Sequence, residues 1–160
     1  MKPELIPAYD REDEIIKLFT EYTDMLVKTD PVFVKYLDLQ GYGDEVRDLD
    51  KKYGLPDGRL YLAFLNGKPA GCVALRRLND TDCEMKRLYV RPGCRGEGTG
   101  RALALRVIED ARDIGYEHML LDTLPVLAEA VNLYRSLGFY ETECYNDSPV
   151  ETTLFMKLDL

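Results

Sequence analysis

The sequence contains no tryptophan, one histidine and four cysteines in 160 residues. The cysteines are Cys72, Cys83, Cys94 and Cys144, and none of them forms a C-x-x-C pair. Because this paired spacing is missing and His118 is the single histidine, we predict no metal site. No His–Asp or His–Asn set appears beside a cysteine, which also disfavours a cysteine nucleophile.

Long apolar runs are absent, and none approaches the ~20 residues that a membrane span needs. The first residues, MKPELIPAYD, lack the apolar segment of a signal peptide. We therefore expect a cytoplasmic protein that does not enter a membrane. The formal net charge of −8 argues against binding along the phosphate backbone of a nucleic acid.

The residues that are present predict one α/β domain over residues 1–160, because no repeat or linker divides the chain. Hydrophobic periodicity predicts helices over 10–28, 99–114 and 126–138, with one or two short helices within 32–53. Strands are predicted over 59–65, 68–78, 83–90, 118–123, 139–145 and 151–160. Residues 4–8, ELIPA, are few and include Pro7, so a full edge strand is not expected there.

The order of these elements predicts the fold class. A helix connects the strands 83–90 and 118–123, so these two strands must run parallel, whereas the hairpins are antiparallel. We predict a mixed, mostly antiparallel sheet flanked by helices on both faces.

A glycine-rich loop, YVRPGCRGEGTGRALA, joins the strand 83–90 to the helix 99–114. It is not a P-loop, because Thr99 follows Gly98 where a lysine is required, and Arg101 occupies the third glycine position of a dinucleotide fingerprint. Glycines still let backbone N–H groups converge, and a helix N-terminus adds partial positive charge. With Arg95 and Arg101 at its two ends, the loop predicts a phosphate site.

The segment RGEGTG fits the R/Q-x-x-G-x-G/A signature of the GNAT superfamily of N-acetyltransferases. The strand MKRLYVRP before it and the segment AVNLYRSLGF after it are in the expected order, so nearly the whole chain resembles a GNAT-like acetyltransferase fold. The resemblance implies acetyl-CoA as co-substrate. It implies a pantetheine arm paired with the backbone of Leu88, Tyr89 and Val90, a pyrophosphate held by Arg95, Gly96, Gly98, Thr99 and Gly100 beside Arg101, and a cofactor contact from Asn132.

Acetyl transfer to an amine needs a base for the ammonium and an acid for the departing thiolate. By resemblance, Glu84 is the predicted base, directly or through water, and Tyr134 the predicted acid. A phenol with a pKa near its ordinary value of about 10 would suit that acid role. Strand alternation predicts that Glu84, Lys86, Leu88 and Val90 share one face.

The acceptor is predicted to be a primary amine of a small molecule or peptide, and its identity stays open. Aromatic candidates for its site are Tyr22, Tyr36, Tyr42 and Tyr145, and a basic cluster of Arg76, Arg77, Lys86 and Arg87 either holds a substrate carboxylate or balances the acidic surface. A homodimer also stays open. Two alternative functions remain: a non-catalytic acyl-CoA-binding or regulatory module, and a nucleotide-binding regulatory domain.

Overall fold

The computed structural model describes residues 2–160. Within them, the strands are β1 Glu4–Pro7, β2 Arg59–Leu65, β3 Lys68–Arg77, β4 Asp82–Val90, β5 His118–Thr123, β6 Tyr140–Glu141 and β7 Leu154–Asp159. The helices are α1 Glu12–Thr29, α2 Phe33–Gln40, α3 Tyr42–Arg47, α4 Leu49–Tyr53, α5 Thr99–Ile114 and α6 Ala128–Ser136. A single 3-10 turn, Pro92–Cys94, lies in the glycine loop.

The strands form one sheet in the order β1-β2-β3-β4-β5-β7-β6. The β4–β5 pair is parallel and the other pairs are antiparallel, which confirms the predicted mixed sheet. The apolar stripe of α5 packs on one face of the sheet, where Leu103 and Val107 are fully buried. The apolar stripe of α1 packs on the other face, with Ile15 and Phe19 fully buried. Burial of these stripes holds the helices against the two faces.

The parallel pairing of β4 with β5 is short, and its early end determines where an opening forms in the sheet. Its register joins Asp82 to His118, Cys83 to Met119 and Glu84 to Leu120, and no pairing of the two strands continues beyond these residues in the described chain. β4 runs on to Val90 and β5 to Thr123. The two strands therefore separate in their C-terminal halves and leave an opening within the sheet.

A β-bulge interrupts β4 at Arg87. The pairing with β3 shifts between Cys72 and Ala74, and Arg87 has a φ of 59°. Because of this extra residue, Met85 and Leu88 pack into the same α5-side core. The prediction that Glu84, Lys86, Leu88 and Val90 share one face is therefore wrong.

Two predictions about strand limits also need correction. Residues Glu4–Pro7 do form an edge strand, paired with β2, since Pro7 stands at its end where a missing N–H is tolerated. The predicted strand 139–145 shortens to Tyr140–Glu141. Beyond it, Tyr145 and Asn146 form side-chain hydrogen bonds to Glu84 and Asp122 instead of a strand ladder.

The region 32–53 contains three short helices, where one or two were predicted. Among residues 2–160, no helix combines the length and the apolar character that crossing a bilayer requires.

Candidate active site

A groove of about 450 Å³ lies in the opening between β4 and β5, beside the glycine loop and α6. Its lining includes these residues named from the sequence: Leu88, Tyr89, Val90, Arg95, Gly96, Gly98, Thr99, Gly100, Arg101 and Tyr134. Asn132 is exposed on α6 and is not part of this lining. The structure thus brings together all but one of the residues predicted to bind the cofactor, while their roles stay predictions.

The glycine loop presents unpaired donors to this groove. Gly96 and Gly98 have φ values of 86° and 78°, a region that favours glycine. The first backbone hydrogen bond of α5 runs from the N–H of Ala102 to the carbonyl of Gly98 at 3.0 Å, so the earlier N–H groups have no partner within the helix. The hydroxyl of Thr99 is buried without a hydrogen-bond partner. These donors fit an anionic group.

Two guanidinium groups add positive charge. Arg95 donates from Nε to the carbonyl of Val90 at 3.0 Å, and Arg101 donates from Nη1 to the hydroxyl of Ser136 at 3.1 Å. Both side chains are exposed and line the groove, and each guanidinium has further N–H groups. The loop therefore fits the pyrophosphate of acetyl-CoA by charge and by donor supply.

A smaller chamber of about 30 Å³ lies next to the groove, on the side of α2. The residues that line both cavities are Tyr22, Leu88, Thr123, Leu127 and Tyr134. Its polar lining comprises Tyr36, Gln40, Lys86, Arg87 and Asp122 together with Thr153. The groove and the chamber meet at these shared residues.

Tyr134 stands at this junction. It is 7% exposed and packs edge-on against Phe139, with ring centroids 5.8 Å apart. Burial raises the pKa of Tyr134 well above its ordinary value, and Tyr22 and Asp122 raise it further. No hydrogen bond of its hydroxyl is formed within residues 2–160. The sequence analysis expected a pKa near the ordinary value for Tyr134. In the structure its hydroxyl instead stays protonated at neutral pH, and its O–H group is available to a ligand.

Glu84 lies elsewhere. It is 2% exposed, accepts hydrogen bonds from Arg76 Nε at 2.7 Å and from the Tyr145 hydroxyl at 2.5 Å, and lies 3.8 Å from Lys86 Nζ. Burial opposes its ionisation, but Lys86, Arg76 and the Tyr145 hydroxyl together lower the pKa of Glu84. It lines neither the groove nor the chamber. A paired carboxylate of reduced basicity is poorly suited to take a proton from the acceptor.

Asp122 is a candidate that the sequence analysis missed. Its carboxylate lines the chamber and accepts hydrogen bonds from the Tyr36 hydroxyl and, at 2.7 Å, from the Asn146 side-chain amide. The signal was the buried strand HMLLDT, which places a carboxylate near its C-terminal end. Only the separation of β4 and β5 shows that this carboxylate lies near Tyr134.

Glu45, which the sequence analysis missed, pairs beside the chamber with Arg87 of the predicted basic cluster. Arg87 donates from Nε and Nη2 to the two carboxylate oxygens of Glu45, both at 3.0 Å, and from Nη2 to Gln40 at 2.7 Å. Lys52 Nζ donates to the same carboxylate at 2.7 Å. Burial opposes the charge on Glu45, yet Arg87 and Lys52 lower its pKa to about 2. The network fixes the bulge of β4 against α2, α3 and α4.

Comparison with known proteins identifies this arrangement. The model of the Acetyltransferase (GNAT) family matches residues 15–139. The chain is 40% identical over 126 residues to an uncharacterised N-acetyltransferase of Schizosaccharomyces pombe, covering 78% of this chain and 77% of that protein. It is 37% identical over 134 residues to N-acetylaspartate synthetase of Danio rerio, covering 78% of this chain and 47% of that protein.

A solved structure agrees at the level of the fold. The PaiA N-acetyltransferase of Thermoplasma acidophilum, in complex with coenzyme A, superposes with a TM-score of 0.73 at 15% identity, covering 100% of both chains. An identity this low supports the fold alone. The family model, however, spans most of the sequence and includes β4, the glycine loop and Tyr134. The chain belongs to the GNAT family of acetyltransferases.

Proposed function

We propose that this acetyltransferase, acting as one domain, moves the acetyl group of acetyl-CoA to a primary amine of a small molecule or peptide by direct attack. The observation that carries the proposal is the junction at Tyr134. A groove that fits the cofactor and a polar chamber meet at Tyr134, which lines both cavities and is buried. A module that only bound acyl-CoA would need the groove but would have no use for the chamber.

When bound, acetyl-CoA supplies a thioester carbon for the amine to attack and a sulfur that leaves. The glycine loop would hold the pyrophosphate through the free N–H groups at the start of α5, the Thr99 hydroxyl, Arg95 and Arg101. On β4, the backbone of Leu88–Val90 has no strand partner on its β5 side, so its polar groups are available to an extended arm.

Tyr134 would act as a hydrogen-bond donor to the departing sulfur. A thiol has an ordinary pKa of about 8.5, so full proton transfer from a phenol with a raised pKa is unfavourable. A free, permanently protonated hydroxyl can still stabilise the charge that develops as the carbon–sulfur bond breaks. Solvent then completes the protonation of the thiolate.

We infer that the proton of the acceptor is taken by a group other than Glu84, the base predicted from the sequence. As the carbon–nitrogen bond forms, the nitrogen loses a proton, and we assign that proton to Asp122, whose present partners are neutral donors. Glu84 becomes a positioning residue in this proposal, because it pairs with Lys86 and Arg76. A relative named N-acetylaspartate synthetase supports an acceptor of small-molecule size.

The test is a screen of amines in which free thiol release from acetyl-CoA is measured together with mass spectrometry of the acetylated product. We expect stoichiometric thiol and acetylated amine with at least one amine class. Calorimetry that detects acetyl-CoA binding without turnover of any amine would support the non-catalytic module instead.

A further inference from the structure

We propose that the acceptor is an amine that also carries a carboxylate, with Lys86 binding the carboxylate and Asp122 the amino group. This inference rests on the proposed function and adds the class of acceptor to it. The sequence predicts two possible roles for the basic cluster of Arg76, Arg77, Lys86 and Arg87: to bind a substrate carboxylate or to balance the acidic surface. The structure separates its members.

Lys86 is the member that lines the chamber without a close partner. Its side chain is 6% exposed, and its ion pair with Glu84 measures 3.8 Å, which is too long for a hydrogen bond. Arg76, by contrast, donates to Glu84 at 2.7 Å, and Arg77 is partly exposed beside Asp80. A buried ammonium without a hydrogen bond is costly unless a ligand supplies one.

The charges around the chamber leave an excess of positive charge. Two buried glutamates are each shared by two cations: Glu45 by Arg87 and Lys52, and Glu84 by Arg76 and Lys86. Neither glutamate lines the chamber, whereas the carboxylate of Asp122 does. The chamber wall and its ion-pair partners thus hold four cations and three carboxylates, so an anion from the ligand would be attracted to this site.

The hydrogen bonds of Asn146 indicate where the amino group of the acceptor would bind. Its side-chain N–H group donates to Asp122 at 2.7 Å and to the Tyr36 hydroxyl at 2.9 Å, so a nitrogen donor fits against this carboxylate. An acceptor amino group that took this place would lie beside Tyr134, which also lines the chamber. The same carboxylate could then receive the proton that the amine loses.

The segment that carries Asn146 must move when the acceptor binds. The cavity volume of the chamber is about 30 Å³, which is enough for a few water molecules at most and too small for an amino acid. Residues 142–153 lie beside it, because Thr153 is part of its lining and Asn146 is bonded to Asp122 of the lining. Tyr145 donates to Glu84, and Asn146 donates to Asp122 and to the Tyr36 hydroxyl. The acceptor would replace the bond between Asn146 and Asp122.

The experiment compares matched pairs of amines: the standard amino acids and their carboxamides, with spermidine as an amine without a carboxylate. We expect at least one acid to be acetylated with a kcat/KM about 10- to 100-fold above that of its amide, since a charge-assisted hydrogen bond is lost with the carboxylate. Lys86→Met should remove this preference. Lys68→Met, at an exposed lysine of β3, is the control that should keep it.

A binding measurement distinguishes loss of the carboxylate contact from loss of folding in the Lys86 variant. If Lys86→Met has a much lower Tm than the unchanged protein, Lys86→Gln is used in its place. Calorimetry should then show that the acid binds the coenzyme A complex of the variant more weakly than that of the unchanged protein. Three outcomes would overturn the inference and leave the proposed function intact. They are equal turnover of acids and amides, preference for spermidine, and a preference for acids that persists in Lys86→Met and Lys86→Gln. Failure of acetyl-CoA to bind at all would overturn both.

Discussion

At the scale of single residues, Tyr134 differs from four other tyrosines of the chain because its hydroxyl is not bonded to a carboxylate. Tyr36, Tyr61, Tyr140 and Tyr145 each donate to a carboxylate. Tyr134 shares none of these bonds and lies between the groove and the chamber. Its ring is held by Phe139, so the hydroxyl can be removed with little change in packing.

Replacement of Tyr134 by phenylalanine should therefore lower kcat by about 100-fold, because a donor used only in the transition state is lost. The affinity for acetyl-CoA, measured by calorimetry, should stay within about threefold. Tyr140→Phe, which removes an exposed hydroxyl bonded to Asp159, is the control and should keep full turnover. Full turnover by Tyr134→Phe would return this residue to a purely structural role.

The residues of the glycine loop could be located from the sequence because their motif is continuous. Asp122 and Lys86 could not be assigned in this way, since their proximity depends on the separation of two strands that are distant in sequence. The raised pKa of Tyr134 also depends on burial, which is a tertiary property. Local sequence therefore predicted the residues that line the groove better than those that line the chamber.

At the scale of elements, the glycine loop and the bulge of β4 are the two irregular pieces that shape the site. The loop was foreseen because glycines mark such turns. The bulge was not, because its central residue is Arg87, and a positive φ is unusual for a residue with a side chain. Its conformation is held by the bonds to Glu45 and Gln40, which come from α3 and α2.

The loop can be tested by adding bulk and charge at one glycine. Gly98→Glu should abolish acetyl-CoA binding, because Gly98 has a φ of 78° and the new carboxylate would face the pyrophosphate at the start of α5. Gly93→Glu adds the same charge at a glycine that does not line the groove. Calorimetry should show near-normal binding for Gly93→Glu; loss of binding in both variants would point to net charge instead.

The bulge can be tested through Glu45. Its pKa of about 2 lies below the ordinary carboxyl range, so Glu45 stabilises the fold above about pH 4.5, and this contribution declines as the pH falls towards 2. Glu45→Gln should lower the free energy of unfolding by about 3 kcal/mol at neutral pH, since Arg87 stays buried without its partner.

The measurement is urea unfolding at several pH values between 2 and 7. The difference between Glu45→Gln and the unchanged protein should shrink at the acid end. Asp44→Asn removes an exposed ion pair from the same helix and should change stability by less than about 0.5 kcal/mol. Equal effects of the two substitutions would contradict a special contribution of the buried network.

At the scale of the whole molecule, the sheet consists of two parts with few connections. β1–β4 form an antiparallel unit and β5–β7 another, and three residue pairs join them at the β4–β5 contact. α5 links the two parts along the chain and buries its apolar face in their common core. The mixed sheet could be predicted from the sequence because a helix connects β4 to β5 and makes them parallel. The early end of their pairing could not, since nothing in the sequence of either strand marks it.

A ligand that occupies the opening should therefore stabilise the whole fold. At a concentration of acetyl-CoA about 100 times its Kd, the free energy of unfolding should rise by about 2.7 kcal/mol. For a chain of this size that corresponds to an increase in Tm of about 5–10 °C. Scanning calorimetry with and without acetyl-CoA measures it, and Gly98→Glu should show no increase. An unchanged Tm at millimolar acetyl-CoA would contradict the assignment of the groove.

The early end of the β4–β5 pairing also bears on the solubility of the protein. Beyond Glu84 the β5 side of β4 is an open strand edge, although it lies in the middle of the sheet. Open edges can pair with another chain and begin aggregation, and proteins usually protect them at the periphery with charges or bulges. Here the bulge at Arg87 interrupts the edge itself, and a bound cofactor would cover the remainder. Cofactor supply and resistance to self-association are thereby linked in one strand.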